Sequence, residues 1–319
     1  GHGSAGENTK DGTLFDFRQN PVQISYFPKK MVMNGSNSSA CDKEGNLLIY
    51  SNGCYVANSN NEILINGDSL NPGYLHRDYC PYIGNPLSQG VLILSRPNTP
   101  DQYYLFNADL DRVEYPDTSL GISSTLTTLR LYYHLIDMTE NPGTVVEKYQ
   151  IAIADTMPTG CMQAVRHANG QDWWLLKPES VSNCYYKILI TEEGVQSPIK
   201  QCIGTSWNKT DWSGQAVFSP DGKKYVRFNP YNGLNIFDFD RCSGMLSNPI
   251  HIPVDSTDTG GAAISSNSRY LYTANAWRVF QFDLQAEDIA ASKTLIATYD
   301  GFVSYSPTNF YIAQLAPNG

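Results

Sequence analysis

Short runs of alternating apolar and polar residues recur along the chain, each broken by Gly, Asn, Ser or Pro, and no heptad pattern persists. Runs of this length and period predict β-strands joined by tight hairpins. The clearest is Gln215-Ala-Val-Phe-Ser-Pro-Asp-Gly222, a strand entering an Asp-Gly turn, followed by the strand Lys224-Tyr-Val-Arg-Phe228. Such turns favour Gly because it tolerates positive φ. The same unit recurs at Gln163–Gly170 with Asp172–Leu176, at Gly261–Ser268 with Arg269–Thr273, and at Ser38–Gly45 with Leu47–Tyr50. It starts again at Ile312–Gly319, and a looser copy runs from Gly90–Leu94 to Gln102–Phe106.

A third, aromatic-rich strand follows in most units: Tyr132–Ile136, Cys184–Ile188, Asn235–Phe239 and Arg278–Phe282. A polar turn and a fourth short apolar strand come next, as in Ser243–Leu246 leading to Pro249–Ile252. Turn positions 222, 268 and 319 lie 46 and 51 residues apart. Four strands per roughly 40–50 residues predict the blades of an all-β propeller. Ser39, Ala164, Ala216, Ala262 and Ala313 share one offset in the repeat. A small residue there suits innermost strands that converge on an axis, and a β-sandwich of repeated hairpins would not require it. Five blades and the first strand of another are recognisable, so about six or seven blades of four strands are expected in the intact domain. Residues 14–27 are expected to donate an outer strand that closes the ring. Residues 1–13 read as a tag or flexible segment, and 14–319 as a single propeller domain truncated at its C-terminus, because Leu315–Gly319 enters a turn with no partner strand after it.

The chain has 319 residues, 22 basic and 31 acidic, for a net charge of −9. That balance argues against a nucleic-acid partner, which favours a basic face. An apolar content of 41% supports a sizeable core, and no stretch approaches a membrane-spanning helix. Of seven cysteines at least one is left over from intramolecular pairing. They show no zinc spacing. They are either buried thiols or, for Cys184 and Cys202 on neighbouring strands, a disulfide. Asn34, Asn37 and Asn208 begin glycosylation-acceptor triplets.

Chemistry is sparsely signalled. No nucleophile elbow, P-loop or dinucleotide fingerprint appears. No His, Cys or carboxylate cluster has ligand spacing, so no cofactor or catalytic metal is expected, although calcium can bind scattered Asp and backbone oxygens. His2, His76, His134, His167 and His251 are dispersed. His167 is the best functional candidate, set against a histidine simply hydrogen-bonded within its blade. Trp173 and Trp174 must point to opposite faces of a strand, so at most one can stack on a sugar. Gln163 and Gln215 share an offset, and Gln89 opens another inner strand. With Arg166 and His167 they are expected to line the mouth of a central channel that takes a polar ligand. The insertion 68–88, with Tyr74, His76 and Tyr79, is the second candidate.

These segments together resemble the N-terminal propeller of large secreted Bacteroidetes proteins that often carry a type IX sorting domain. The matching stretches are Gly45–Gly53 with Ile65–Gly67, Gln89–Pro97, Tyr103–Phe106, Tyr132–Met138, Glu147-Lys148, Ala164–Trp174, Phe218–Lys224 and Phe237–Asp240. The resemblance implies an extracellular or surface location and a modular role. It implies no catalytic residues. The expected function is therefore a non-catalytic interaction or adhesion module within a larger chain, binding a glycan or protein partner. The alternative is a propeller hydrolase or lyase acting on a lactone or polysaccharide at the channel mouth.

Overall fold

Gly222 takes φ +71°, Gly170 +76° and Gly45 +82°, so the repeated Gly turns adopt the left-handed conformation their residue type permits. Each closes an antiparallel hairpin, and the hairpins build successive meander sheets. The structure is a computed structural model that describes residues 10–29, 31–114, 124–206, 214–254, 260–303 and 309–317. The Asn208 triplet, His2 and the Asn318-Gly319 turn lie outside the described residues.

The chain forms two compact units, residues 1–159 with 191–195, and residues 160–190 with 196–317. In the first, β1 (Lys10–Asp16) and β2 (Gln23–Lys29) pair, among the described residues, only with each other. This overturns the expectation that 14–27 donate an outer strand. The two strands form a ribbon of their own, and Phe27 packs with Met31 and Tyr50 instead. The first blade is β3 (Ser38–Cys41), β4 (Leu47–Ser51) and β5 (Val56–Asn58). The insertion holds one short helix, α1 (Tyr74–Asp78). The second blade runs β6 (Val91–Ser95), β7 (Gln102–Ala108), β9 (Ser124–Asp137) and β10 (Thr144–Met157), with β8 (Asp111–Glu114) also on β9. Ile49, Val56, Leu105 and Ile136 fill the space between these blades.

The second unit holds three blades. One comprises β11 (Gln163–Arg166), β12 (Trp173–Pro178) and β13 (Cys184–Thr191), with β14 (Gly194–Val195), a two-residue strand after the turn at 192–193, and β15 (Ile199–Cys202) both pairing with β13. The next is β16 (Gln215–Phe218), β17 (Lys224–Asn229), β18 (Gly233–Asp240) and β19 (Met245–Ile252). The last is β20 (Gly260–Ile264), β21 (Tyr270–Asn275), β22 (Arg278–Asp283) and β23 (Thr294–Thr298). Their first strands adjoin, β11 against β16 and β16 against β20. Five successive meanders of this kind place the chain in the β-propeller class, with blades of three to five strands among the described residues.

Period-2 patterning explains the layering of the second unit. Along β17, Tyr225 faces the blade before it, beside Trp174, Tyr185 and Phe237. Val226 and Phe228 face the blade after it, beside Ile264, Leu271 and Phe282. Ala164, Ala216 and Ala262 do fall on the first, edge strand of their sheets; Ala313 lies in an irregular segment. Ala216 is fully buried in the cluster of Trp174 and Tyr185. Ala216→Leu is expected to destabilise by about 1–3 kcal/mol through overpacking, read as a lower denaturation midpoint.

Two disulfides are present. Cys184 and Cys202 face each other directly across β13 and β15, with Cα atoms 3.9 Å apart. Cys54–Cys80 ties the lead into β5 to the residues just after α1, a pairing no strand register announces. Cys41, Cys161 and Cys242 take no part in a disulfide. In the chain-entropy account, closing loops with separations of 18 and 26 residues stabilises by about 3 kcal/mol each. Denaturation with and without reductant is expected to show losses of that size for Cys54→Ala/Cys80→Ala and Cys184→Ala/Cys202→Ala.

Candidate functional site

The expected channel-mouth residues are distributed as follows. Gln89 belongs to the first unit, takes φ +54° and precedes β6 rather than beginning it. Gln163, Arg166, His167 and Gln215 belong to the second. Gln163 opens β11 and Arg166 closes it, three strand steps or about 10 Å away. The half-buried Gln163 accepts the Ala164 N–H through its side-chain oxygen at 3.0 Å. Gln215 is buried, and its amide makes a two-sided clasp. Nε2 donates to Ala313 O at 2.6 Å, while Oε1 accepts from Ala262 N–H at 2.9 Å and Ala313 N–H at 3.1 Å. The side chain thus supplies the rungs of a missing strand between β20 and residues 311–313. Gly261 allows the close approach, since a Cβ there would lie 2.0 Å from Tyr311 O.

Arg166 and His167 sit at the opposite, turn end. The Arg166 guanidinium lies 3.7 Å from the Trp173 ring centroid, and burial lowers its pKa. Trp174 is buried and donates Nε1–H to Arg241 O at 2.9 Å. The pair therefore splits as a strand requires, with one ring in the core and the other, half-buried, under a guanidinium. His167 is engaged at both ring nitrogens: Nε2 meets Cys242 O at 3.0 Å, and Nδ1 accepts the Asn169 N–H at 3.1 Å. Sequence reasoning missed Arg241, which bridges two blades. It donates to Arg166 O, His167 O and Asp221 O at 2.9, 3.1 and 3.2 Å. It passes directly over Gly222, where a Cβ would lie 2.5 Å from its Cδ.

Beside this turn a pocket of about 360 Å³ opens between the last two blades, lined by Asp221, Lys223, Lys224, Asp238, Ser268 and Gln285. Its carboxylates are occupied. Burial opposes ionisation of Asp221 and Asp238, but hydrogen bonds hold both below the ordinary range. Those bonds come from Ser219 and the Lys223 N–H on one, and from Asn248 and Lys224 on the other. Asp240 is held low by Ser243 and the Cys242 N–H. At the other end of the same inter-blade seam lies a second cavity of about 100 Å³, floored by Phe228, Phe280 and Phe282 and rimmed by Arg278 and Lys293.

The remaining histidines are separate. His76 is exposed on α1, and His251 is exposed on β19. His134 is fully buried on β9, its Nε2 2.8 Å from Asn107 Oδ1 and its Nδ1 accepting the Tyr149 N–H at 3.4 Å. In the insertion, Tyr74 and Tyr79 meet edge to face at 5.8 Å, with Arg77 over Tyr74. Among the described residues no three His, Cys, Asp or Glu side chains gather as a metal-binding group. Among the described residues no helix is long and apolar enough to cross a membrane. Sequence reasoning also missed Trp277, half-exposed in the β21–β22 turn and 5.4 Å from the Tyr299 ring. A Trp-Arg pair in a short polar turn was the available signal.

No family model and no curated protein matches the chain. Several solved structures do. One is a periplasmic gluconolactonase of Pseudomonas aeruginosa, 15% identical, covering 97% of this chain and 82% of its own, with a TM-score of 0.46. A second is a 6-phosphogluconolactonase candidate of Bacteroides fragilis, 14% identical over 92% of this chain and 77% of its own, with a TM-score of 0.46. A third is a functionally unknown protein of Desulfotomaculum acetoxidans, 11% identical over 96% and 83%, with a TM-score of 0.49. At these identities and TM-scores no activity carries over to this chain.

Proposed function

We propose that the chain is a non-catalytic, exported binding module of a larger extracellular or surface protein, and that it binds a glycan or protein partner. The observation that carries this reading is the commitment of the titratable groups at the turn end of the second unit. His167, Asp221, Asp238 and Asp240 each hold turn amides, hydroxyls or a neighbouring lysine. A general base must reach a substrate proton in the right geometry, and each of these groups already accepts a hydrogen bond that fixes it to its own turn or to a neighbouring strand. What the surface offers instead is donors: Lys223 and Gln285 at the larger pocket, and the Arg166 guanidinium, which lies over Trp173 and donates one N–H to Gln171 O. In this reading Arg166 and its surroundings at the turn end of β11 contact the ligand, Gln163 at the other end of that strand stands apart from it, and the Gln215 amide acts as a clasp.

Export is supported by the two disulfides, which persist in oxidising compartments. Origin among type IX-secreted Bacteroidetes proteins, and a ring of six or seven blades, belong to this proposal on the strength of the sequence resemblance and the repeat. The test is a glycan and peptide array probed with the chain, alongside lactone- and polysaccharide-hydrolysis assays. Array binding that weakens with Arg166→Gln, without turnover, is the expected result. Turnover that is abolished by His167→Ala would establish the enzymatic alternative.

A further inference from the structure

The small cavity between the last two blades has a composition that fits one ligand chemistry. Its walls are mixed: Phe228 from β17, Phe280 and Phe282 from β22, Ala274, Val254 and Pro230 supply hydrocarbon, while Thr273 and Asn275 supply polar atoms. Its rim carries two cations, Arg278 and Lys293, and no carboxylate among the described residues. Both cations are exposed, and neither makes an ion pair among the described residues. Elsewhere on the same blade Arg269 is paired with Asp283 at 2.7 Å. In a chain of net charge −9, leaving two cations at the mouth of one apolar cavity creates a local field opposite to that of the whole molecule.

The two cations are also held in place. Lys293 Nζ stands 4.3 Å from the Phe280 ring centroid, which positions an ammonium at the edge of the aromatic floor. The backbone N–H of Arg278 donates to Asn275 Oδ1 at 2.8 Å, and so does that of Trp277 at 3.2 Å, so the turn bearing the guanidinium is pinned. A guanidinium presents paired N–H donors that match a carboxylate. The volume, about 100 Å³, is somewhat below that of a cavity that takes up benzene. It suits one flat or branched apolar group and is too small to enclose a hydroxylated sugar ring.

We propose that this cavity binds an apolar group bearing a carboxylate, with the body against Phe228, Phe280 and Phe282 and the charge between Arg278 and Lys293. Two sources share that chemistry: a small organic acid, and the C-terminal residue of a peptide ending in Phe or Leu. The inference rests on the reading of this chain as a binding module, and it names a specific subsite for it.

The experiment is calorimetric or NMR titration of the intact chain with benzoate, its neutral isostere benzamide, and a short peptide ending in Phe with a free or an amidated C-terminus. Charge-assisted hydrogen bonds of the expected kind correspond to about a tenfold or greater preference for each carboxylate over its neutral counterpart. Arg278→Gln, at an exposed position, is expected to lower carboxylate affinity by a similar factor while leaving the denaturation midpoint unchanged. Tight binding of the free-acid peptide but not of benzoate assigns the peptide source, and the reverse assigns the organic acid. Benzamide binding as well as benzoate, Arg278→Gln binding as well as wild type, or no binding of any acid at about 10 mM, on the weak side of ordinary small-molecule affinities, would overturn the proposal. Ligands on the glycan and peptide array that are indifferent to Arg278→Gln would leave the binding-module reading standing and remove only this subsite.

Discussion

Lowering the pH from about 6.5 to about 4 is expected to remove about 3 kcal/mol of folding stability through His134 alone. Burial, with a smaller contribution from the Lys148 charge, pushes its pKa from 6.5 down to about 3. The imidazole is therefore neutral in the folded chain, with Nε2–H directed at Asn107 Oδ1 and Nδ1 accepting the Tyr149 N–H. The unfolded chain takes up a proton below about 6.5 and the folded chain does not, so the unfolded state binds more protons across that window. Stability is then fully present above the unfolded pKa and falls as the pH drops toward the folded one, by up to about 1.4 kcal/mol per pH unit. Carboxylates held low, such as Asp137 by Thr139, add their own loss only at lower pH. Urea denaturation at about pH 7, 6 and 5 should show this slope in the wild type and a much flatter one in His134→Gln. Equal slopes in the two proteins would mean that the imidazole is not the group responsible.

Gln215→Ala is expected to cost about 4 kcal/mol, more than a typical surface polar residue by severalfold. The variant leaves the buried Ala262 N–H without its acceptor and strips both the N–H and the carbonyl of Ala313 of their partner. Residues 311–316 should consequently become accessible to proteolysis. Gln215→Glu separates the components: a carboxylate still accepts from both N–H groups but cannot donate to the Ala313 carbonyl, so this variant should recover stability as the acid is protonated. If Gln215→Ala lies within about 1 kcal/mol of wild type and the terminal segment is cut no faster, the clasp is not energetically important. Loss of ligand with unchanged stability would return Gln215 to a recognition role.

The blades were legible because their signals are local. An Asp-Gly turn between alternating strands specifies its own hairpin, and the facing positions of Cys184 and Cys202 follow from the pairing of β13 and β15, which are also close in sequence. Ala216 and Ala262 could be placed on edge strands by their offset from those turns. What stayed hidden depends on partners far away in sequence. The Gln215 amide reaches residues 47 and 98 positions onward. The aromatic cavity draws Phe228 from one blade and Phe280 from the next, and nothing in either strand marks the gap between them. Cys54 and Cys80 meet through an insertion with its own helix, outside any repeat. The ribbon of β1 and β2 was misread because an amphipathic strand looks the same whether it pairs with a blade or with its neighbour.

Arg241, lying across Gly222 and holding carbonyls of two blades, also decides where this protein can be lengthened. A loop grafted at Asp221-Gly222 would have to displace the guanidinium and so would unlatch both turns at once. One repeat earlier, at Asn169-Gly170, a Cβ would meet nothing within 4 Å. Two positions that the repeat makes equivalent are thus unequal hosts for inserted sequence, and a diversified loop library or an affinity tag belongs at 170 rather than at 222.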